Sequence, residues 1–390
     1  MTIAPFSLYA HIPFCAHKCP YCDFNTYATA RVPELEYVEA LIRELRRFAA
    51  DERFHGRKLK TIFFGGGTPS LLSGSAIASI IRVANDLFPI IAGAEVTLEA
   101  NPGDVCREKL AEFASAGINR ISFGVQSFDD ERLKLLGRDH TAEQAKEAVA
   151  LAQEAGISNV SVDIIFGTPG QLLSDLERDI DTAASLPITH LSTYSLTIEP
   201  GTPFFQRQQR GLLSMPADGL VADMLERIPE LTSRHGFARY EISNYARDGK
   251  ESEHNNIYWT GGDYLGVGAG AHSYVGTVQD GVLAAGNRWS TVALPQTYIS
   301  DAGTSRVISW DERVEGPSLW FEFFYLGLRR VVGVSAESFQ RRFARSMWDT
   351  YGDVIGELEG EGFLQVESDR VFLSRQGVAV ADSVFERFVR

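Results

Sequence analysis

Cysteine is scarce in this chain, with four in 390 residues. So few cannot make the disulfide framework that would hold an extracellular protein of this length, and the thiols read as free, in a reducing cytoplasm. No run of about 18 apolar residues occurs, so no membrane-spanning helix is expected. Residues 1–6 have neither a basic start nor an apolar stretch, so no secretory leader is expected. Positive charge is short as well: 37 Lys and Arg stand against 51 Asp and Glu, a net −14. Phosphate contacts need a basic surface, so nucleic acid is not an expected partner. Internal repeats and low-complexity tracts are also missing. What remains, 44% hydrophobic and 23% charged, is the composition of a soluble globular protein with room for two or three domains.

Six short stretches rich in β-branched and aromatic residues read as strands: 7–12, 61–64, 95–98, 120–123, 160–165 and 191–195. Helical patterns separate them. After Pro33, which suits a first helical turn, Leu35, Val38, Leu41, Ile42, Leu45 and Phe48 fall on one face. Thr141-Ala142-Glu143-Gln144 reads as a capping box, and a further helix is expected over 172–184. Six β–α units in succession predict a parallel sheet with right-handed crossovers. A closed barrel needs eight such units, so the predicted fold is α/β, a partial (β/α)6 TIM-like barrel over 1–235 with its site at the C-terminal strand ends. Residues 236–310, irregular and rich in Gly, Asn and Tyr, read as a connecting region. Residues 311–390 carry an apolar helix (319–328), helices near 336–344 and 348–361, two short strands (364–366, 371–373) and a last helix. That pattern predicts a smaller, winged-helix-like, mainly α domain.

Three of the four cysteines, Cys15, Cys19 and Cys22, lie in His11-Ile12-Pro13-Phe14-Cys15-Ala16-His17-Lys18-Cys19-Pro20-Tyr21-Cys22. Thiolates are the standard ligands of iron–sulfur clusters, and three of them leave one iron of a four-iron cluster open. A closed zinc site, with His11 or His17 as fourth ligand, is the alternative from the residues alone. The fourth cysteine, Cys106, reads as an ordinary buried thiol.

The spacing Cys-x3-Cys-x2-Cys, together with the string from Tyr9 to Cys22, resembles the oxygen-independent coproporphyrinogen oxidase group of the radical S-adenosylmethionine (SAM) proteins. The resemblance implies a 4Fe–4S cluster on Cys15, Cys19 and Cys22 whose open iron takes the amino and carboxylate groups of SAM. It also implies a reductant or electron-donor protein, because one electron cleaves SAM to methionine and a 5′-deoxyadenosyl radical. Tyr9 and Tyr21 are placed by it at SAM, Tyr21 against the adenine. Gly65-Gly66-Gly67-Thr68-Pro69-Ser70 follows the second strand, and glycines let a backbone approach a ligand closely; the resemblance puts Gly66, Gly67 and Thr68 near the SAM amino group. Glu99, ending the third strand, suits ribose hydroxyls. Gln126, Arg138 and Asp163 resemble the remaining SAM contacts, with Arg138 able to grip a carboxylate through two bonds.

Oxidases of this group carry a further cysteine two residues after the third, where this chain has Phe24, and an extension before the cluster loop, where this chain has almost none before Tyr9. Glu253-His254-Asn255-Asn256-Ile257-Tyr258-Trp259 resembles the His-Asn-x-x-Tyr-Trp motif of the HemW-type heme chaperones. That likeness implies heme contact at His254, Tyr258 and Trp259, with His272 the next candidate. A neutral imidazole is a common axial ligand to heme iron, and a core histidine beside two aromatics is the other reading of His254. The expected function is a heme chaperone that carries a SAM-binding cluster and delivers heme to acceptor proteins such as respiratory enzymes, which would bring it to the inner membrane surface. The competing expectation is oxidative decarboxylation of coproporphyrinogen III. Arg341, Arg342 and Arg345 make a short basic face, but the net charge argues against DNA.

Overall fold

A computed structural model describes residues 4–389; residues 1–3, on which the expectation of no leader partly rests, lie outside it. All six predicted strands are present: β1 (Phe6–Ile12), β2 (Leu59–Gly66), β3 (Ile90–Ala100), β4 (Arg120–Gln126), β5 (Asn159–Phe166) and β6 (His190–Ser195). They pair parallel and in chain order. Leu8, Ile62, Leu98, Ile121, Val162 and Leu191 are fully buried along them, as expected of parallel strands covered on both faces.

The crossover helices follow their sequence signals. Helix α1 (Glu34–Ala49) buries Val38, Leu41, Leu45 and Phe48. Leu35, expected on the same face, is 75% exposed: it sits in the first turn, ahead of the first buried pair, Tyr37 and Val38. Helix α2 (Ala142–Glu154) opens on the predicted capping box, Thr141 N–H donating to Gln144 Oε1 at 2.8 Å and Gln144 N–H to Thr141 Oγ1 at 3.2 Å.

Residues 236–310 depart from expectation, because they extend the sheet at both edges. β7 (Ala238–Arg239) and β8 (Asn244–Ala246) run antiparallel beyond β6. β9 (Tyr264–Val267) joins β1 on its free side, parallel to it, and β10 (His272–Gln279), β11 (Val282–Thr291) and β12 (Ile308–Glu315) follow antiparallel. The result is one open twelve-stranded sheet, β12-β11-β10-β9-β1-β2-β3-β4-β5-β6-β8-β7. Glycine hid β9, β10 and β11, which hold one each, from a propensity reading. At Gly266 a Cβ would stand 2.0 Å from the His272 carbonyl oxygen, so the β9–β10 turn closes only around glycine.

A second hydrophobic core, separate from that of the barrel, runs from Val314 to Phe388. It holds α4 (Pro317–Gly327), α5 (Ala336–Phe343) and α6 (Met347–Gly360) around a small sheet of β13 (Val334–Ser335), β14 (Leu364–Glu367) and β15 (Arg370–Leu373), and α3 (Glu253–Trp259) precedes it on the barrel side. Among the described residues no helix is long and apolar enough to cross a membrane.

Candidate functional site

The cysteine loop leaves the C-terminal end of β1 and is tied down by backbone bonds. Gly67 N–H and Thr68 N–H donate to the carbonyls of Ile12 and Phe14 at 2.8 Å each, and Tyr27 N–H donates to Pro13 O at 2.7 Å. Lys18 Nζ spans the loop to the carbonyls of Phe24 and Thr26. The three thiols are free and line one cavity of about 330 Å³. Burial pushes the Cys15 and Cys22 thiols up, and Thr68 and Thr26 hydroxyls oppose this at Cys15. Neither histidine considered as a fourth ligand is available. His11 Nε2 donates to Asn25 O at 3.0 Å while its Nδ1 accepts from the Tyr9 hydroxyl at 2.9 Å. His17 Nε2 donates to Gly137 O at 2.6 Å and its Nδ1 faces Asp139 at 3.3 Å. Among the described residues no three His, Cys, Asp or Glu groups converge on a single-ion site; the thiols surround a volume.

The same cavity collects Tyr21, Gly66, Gly67, Thr68, Glu99, Gln126, Arg138 and Asp163. Gly66, Glu99, Gln126 and Asp163 come from the C-terminal halves and ends of successive strands, where a parallel barrel places its site, while Tyr21 comes from the cysteine loop and Arg138 from the turn before α2. Gly66 has φ +114°, and a Cβ on it would meet the His11 ring at 2.4 Å; a Cβ on Gly67 would meet Phe14 O at 2.6 Å. The glycine run therefore lies directly on the cluster loop. Glu99 Oε2 accepts from Gly66 N–H at 3.0 Å. Burial, with the Asp163 carboxylate adding to it, pushes Glu99 up to about 7, against the pull of that N–H. Burial also raises Asp163, opposed by hydroxyls of Ser192 and Ser122. Arg138 reaches Cys19 Sγ at 3.4 Å, Asn101 Oδ1 at 3.0 Å and Gly124 O at 2.8 Å. Its Nε is buried with no partner, which leaves one donor of this guanidinium unused.

Tyr9 is the exception among the expected SAM contacts. It does not line the cavity; its hydroxyl holds His11, and its ring packs 6.1 Å from Phe63, behind the glycines. Asn101, Ser122 and Tyr194 do line it without having been singled out. Tyr194, near the end of β6, was reachable by the strand-end rule. Cys106 is a correction: it is exposed, at the N-cap of the helix Arg107–Ala116.

The His254 motif lies at the other end of the barrel. Ser252 and Glu95 cap α3: Asn255 N–H donates to Ser252 Oγ, and Glu253 and His254 N–H donate to the Glu95 carboxylate at 3.1 and 3.0 Å. His254 is 1% exposed. The Thr61 hydroxyl gives its one proton to Ser7 Oγ at 2.8 Å, so it accepts from His254 Nδ1–H at 2.7 Å. Nε2 is then left as an acceptor, and the Tyr258 hydroxyl fills it at 2.8 Å. Burial holds this imidazole down to about 3, neutral throughout the physiological range. His254 is thus a core residue that positions Tyr258, with no ring nitrogen open to iron as it stands. His272 is exposed on β10. Tyr258 and Trp259 do face a second cavity, of about 600 Å³, between α3 and the C-terminal unit.

The Radical SAM superfamily profile matches residues 9–183, and that of the HemN C-terminal domain residues 316–380. The chain is 36% identical to the heme chaperone HemW of Lactococcus lactis, covering 99% of this chain and 97% of the relative. It is 38% identical to that of Bacillus subtilis (98% and 99%) and 37% identical to that of Escherichia coli (99% and 99%). The chain belongs to the HemW family of radical SAM proteins. The fold also matches coproporphyrinogen III oxidase (HemN) of Escherichia coli, with TM-score 0.82, 21% identity and coverage of 99% of this chain and 90% of that one. That likeness concerns the fold alone. Membership of the radical SAM superfamily implies a 4Fe–4S cluster and SAM, and the residues of this HemW-family chain fit both. The donor set is three disulfide-free thiols around a volume, beside a glycine cradle without Cβ atoms and the Arg138 guanidinium on the same wall.

Proposed function

We propose that this protein binds heme and hands it to acceptor proteins, membrane-associated ones among them, while keeping a SAM-binding 4Fe–4S cluster. The observation that carries the proposal is full-length identity of 36–38% to proteins named as heme chaperones. In this reading Cys15, Cys19 and Cys22 would hold the cluster at the cavity they line. When bound, the cluster supplies the electron that cleaves SAM, drawn from an electron-donor protein. Arg138, on the cavity wall, meets the SAM carboxylate and steadies the Cys19 thiolate. The Gly66–Gly67 backbone admits the SAM amino group, and Glu99, whose carboxyl burial pushes up to about 7, meets ribose hydroxyls. Tyr21, Gln126 and Asp163 complete the cavity wall.

The second reading, coproporphyrinogen III oxidation, comes from the resemblance of the string Tyr9 to Cys22 to the oxidase group. Against it, the position of the oxidases' additional cysteine is Phe24, 64% exposed on the cavity wall. The test is anaerobic turnover of coproporphyrinogen III by cluster-reconstituted protein with SAM and reductant, run beside transfer of bound heme to an apo-acceptor. Heme transfer without protoporphyrinogen supports the chaperone; protoporphyrinogen IX would make the protein an oxidase.

A further inference from the structure

The second cavity is unlike the rest of this acidic protein. Tyr258, Trp259, Tyr264, Tyr274 and Tyr325 give it aromatic walls. Its charged lining is five arginines, Arg288, Arg330, Arg341, Arg342 and Arg370, against one carboxylate, Glu322, in a chain of net charge −14. Three of the arginines are occupied. Arg288 pairs with Glu312 and Glu322 at 2.7 and 2.8 Å. Arg342 holds the carbonyls of Thr260 and Gly261 at 2.8 Å each, pinning the end of α3 to α5. Arg341 pairs with Glu337.

The other two are not balanced. Among the described residues the Arg330 side chain has no hydrogen bond or ion pair, and Arg370 has only the Val332 carbonyl at 3.1 Å. Burial and the neighbouring Arg370 guanidinium hold Arg330 below its ordinary value, the mark of two like charges side by side without a carboxylate. The indole N–H of Trp259 is likewise buried without a partner. Two guanidiniums with no carboxylate partner among the described residues, lining an aromatic-walled volume within the roughly 300–1,000 Å³ range of ligand pockets, suit a flat aromatic dicarboxylate.

We propose that this cavity is the seat of the heme cargo, with its two propionates on Arg330 and Arg370 and its ring against Tyr258, Trp259 and Tyr264. The inference rests on the heme-chaperone reading and locates its cargo. It separates the cargo from SAM: Thr61, beside the motif helix, and Gly66, in the SAM cradle, lie toward opposite ends of β2, about 16 Å apart at the usual strand rise. It also leaves the iron weakly held. No His, Cys or Met lines the cavity, so tyrosine is the only lining side chain of an ordinary heme-ligand type. A carrier held by ring faces and carboxylates releases its cargo without breaking a strong axial bond.

The test is anaerobic titration of cluster-reconstituted protein with ferric heme and with heme dimethyl ester, followed by heme absorption. Wild type is compared with the Arg330→Ala/Arg370→Ala double variant, and SAM binding is the folding control. Expected is a roughly tenfold loss of heme affinity per guanidinium, roughly a hundredfold for both, a high-spin ferric spectrum, and ester binding that is weak and equal in both proteins. Heme binding unchanged in the double variant, or ester binding as tight as heme, would overturn the site while leaving the chaperone reading intact. So would a low-spin spectrum abolished by His254→Ala alone. Wild type that binds no heme at all would overturn both.

Discussion

Acid should weaken this protein through His254, by an amount the structure sets. Burial holds the imidazole at about 3, against an ordinary 6.5. The folded state keeps the ring neutral, while the unfolded chain takes up a proton below pH 6.5. The contribution is therefore full above pH 6.5 and falls by about 1.4 kcal/mol per pH unit as the pH drops towards 3, about 5 kcal/mol in all. By pH 5.0 roughly 2 kcal/mol should be gone. His254→Gln removes the titration while leaving an amide that can bond to Thr61 or Tyr258. Urea unfolding of both proteins at pH 7.5 and 5.0, under anaerobic conditions, reads the difference. The wild type should be the more stable at pH 7.5, and its margin should shrink by about 2 kcal/mol at pH 5.0. The other buried histidines, His11, His140 and His190, titrate in both proteins and cancel. Equal margins at the two pH values would mean that His254 is not a neutral core residue, and would return it to candidacy as an exposed ligand.

Cys19→Ser should prevent cluster assembly, read as iron and sulfide content after anaerobic reconstitution; a full complement would remove Cys19 from the cluster. Gly66→Ala must place a Cβ against the His11 ring at positive φ, so SAM affinity should collapse and stability fall by more than about 1 kcal/mol; calorimetry showing wild-type SAM binding would refute the cradle. Glu44, buried on α1, accepts from the Tyr298 hydroxyl and from Gly268 N–H, and burial pushes it up to about 7. The unfolded chain ionises above 4.5 and the folded one only near 7, so the wild type loses up to about 3 kcal/mol as pH rises between those values. Glu44→Gln escapes that loss, and thermal melts should show the variant gaining on wild type at pH 8 relative to pH 4.5.

The barrel was legible because each strand is a short run of β-branched and aromatic residues between amphipathic helices, and because parallel strands put chemistry at their C-terminal ends. Gly66, Glu99 and Gln126 could be placed by that rule together with the family resemblance. β9 to β11 were not legible, since the glycines they carry erase strand propensity. Nor was the setting of Tyr9 and His254. The Thr61 hydroxyl that receives the His254 N–H lies 193 positions away, and no local pattern in the sequence says that the Nε2 lone pair will be filled by Tyr258. A motif that names a histidine and two aromatics reads as a heme ligand set until the fold shows the histidine turned inward and the aromatics turned outward.

That division gives the two ends of one sheet different tasks. At the C-terminal ends, cysteines, glycines and buried carboxylates surround a small cavity of about 330 Å³. At the N-terminal ends, α3 is fastened by Glu95 and Thr61 on one side and by Arg342 on the other, and it presents Tyr258 and Trp259 to a cavity of about 600 Å³. The same seven residues therefore touch the barrel core and the arginine-lined cavity. A shift of α3 on heme binding would reach Tyr9 and Phe63 through the His254 ring, which lies 6.4 and 5.0 Å from theirs, and from Tyr9 it would reach His11 and the glycine cradle. Coupling by this route predicts that heme changes SAM affinity and that SAM changes heme affinity by the same factor. Calorimetric titration of each ligand with and without the other measures both factors, and equal affinities in all four titrations would show that the two cavities act independently.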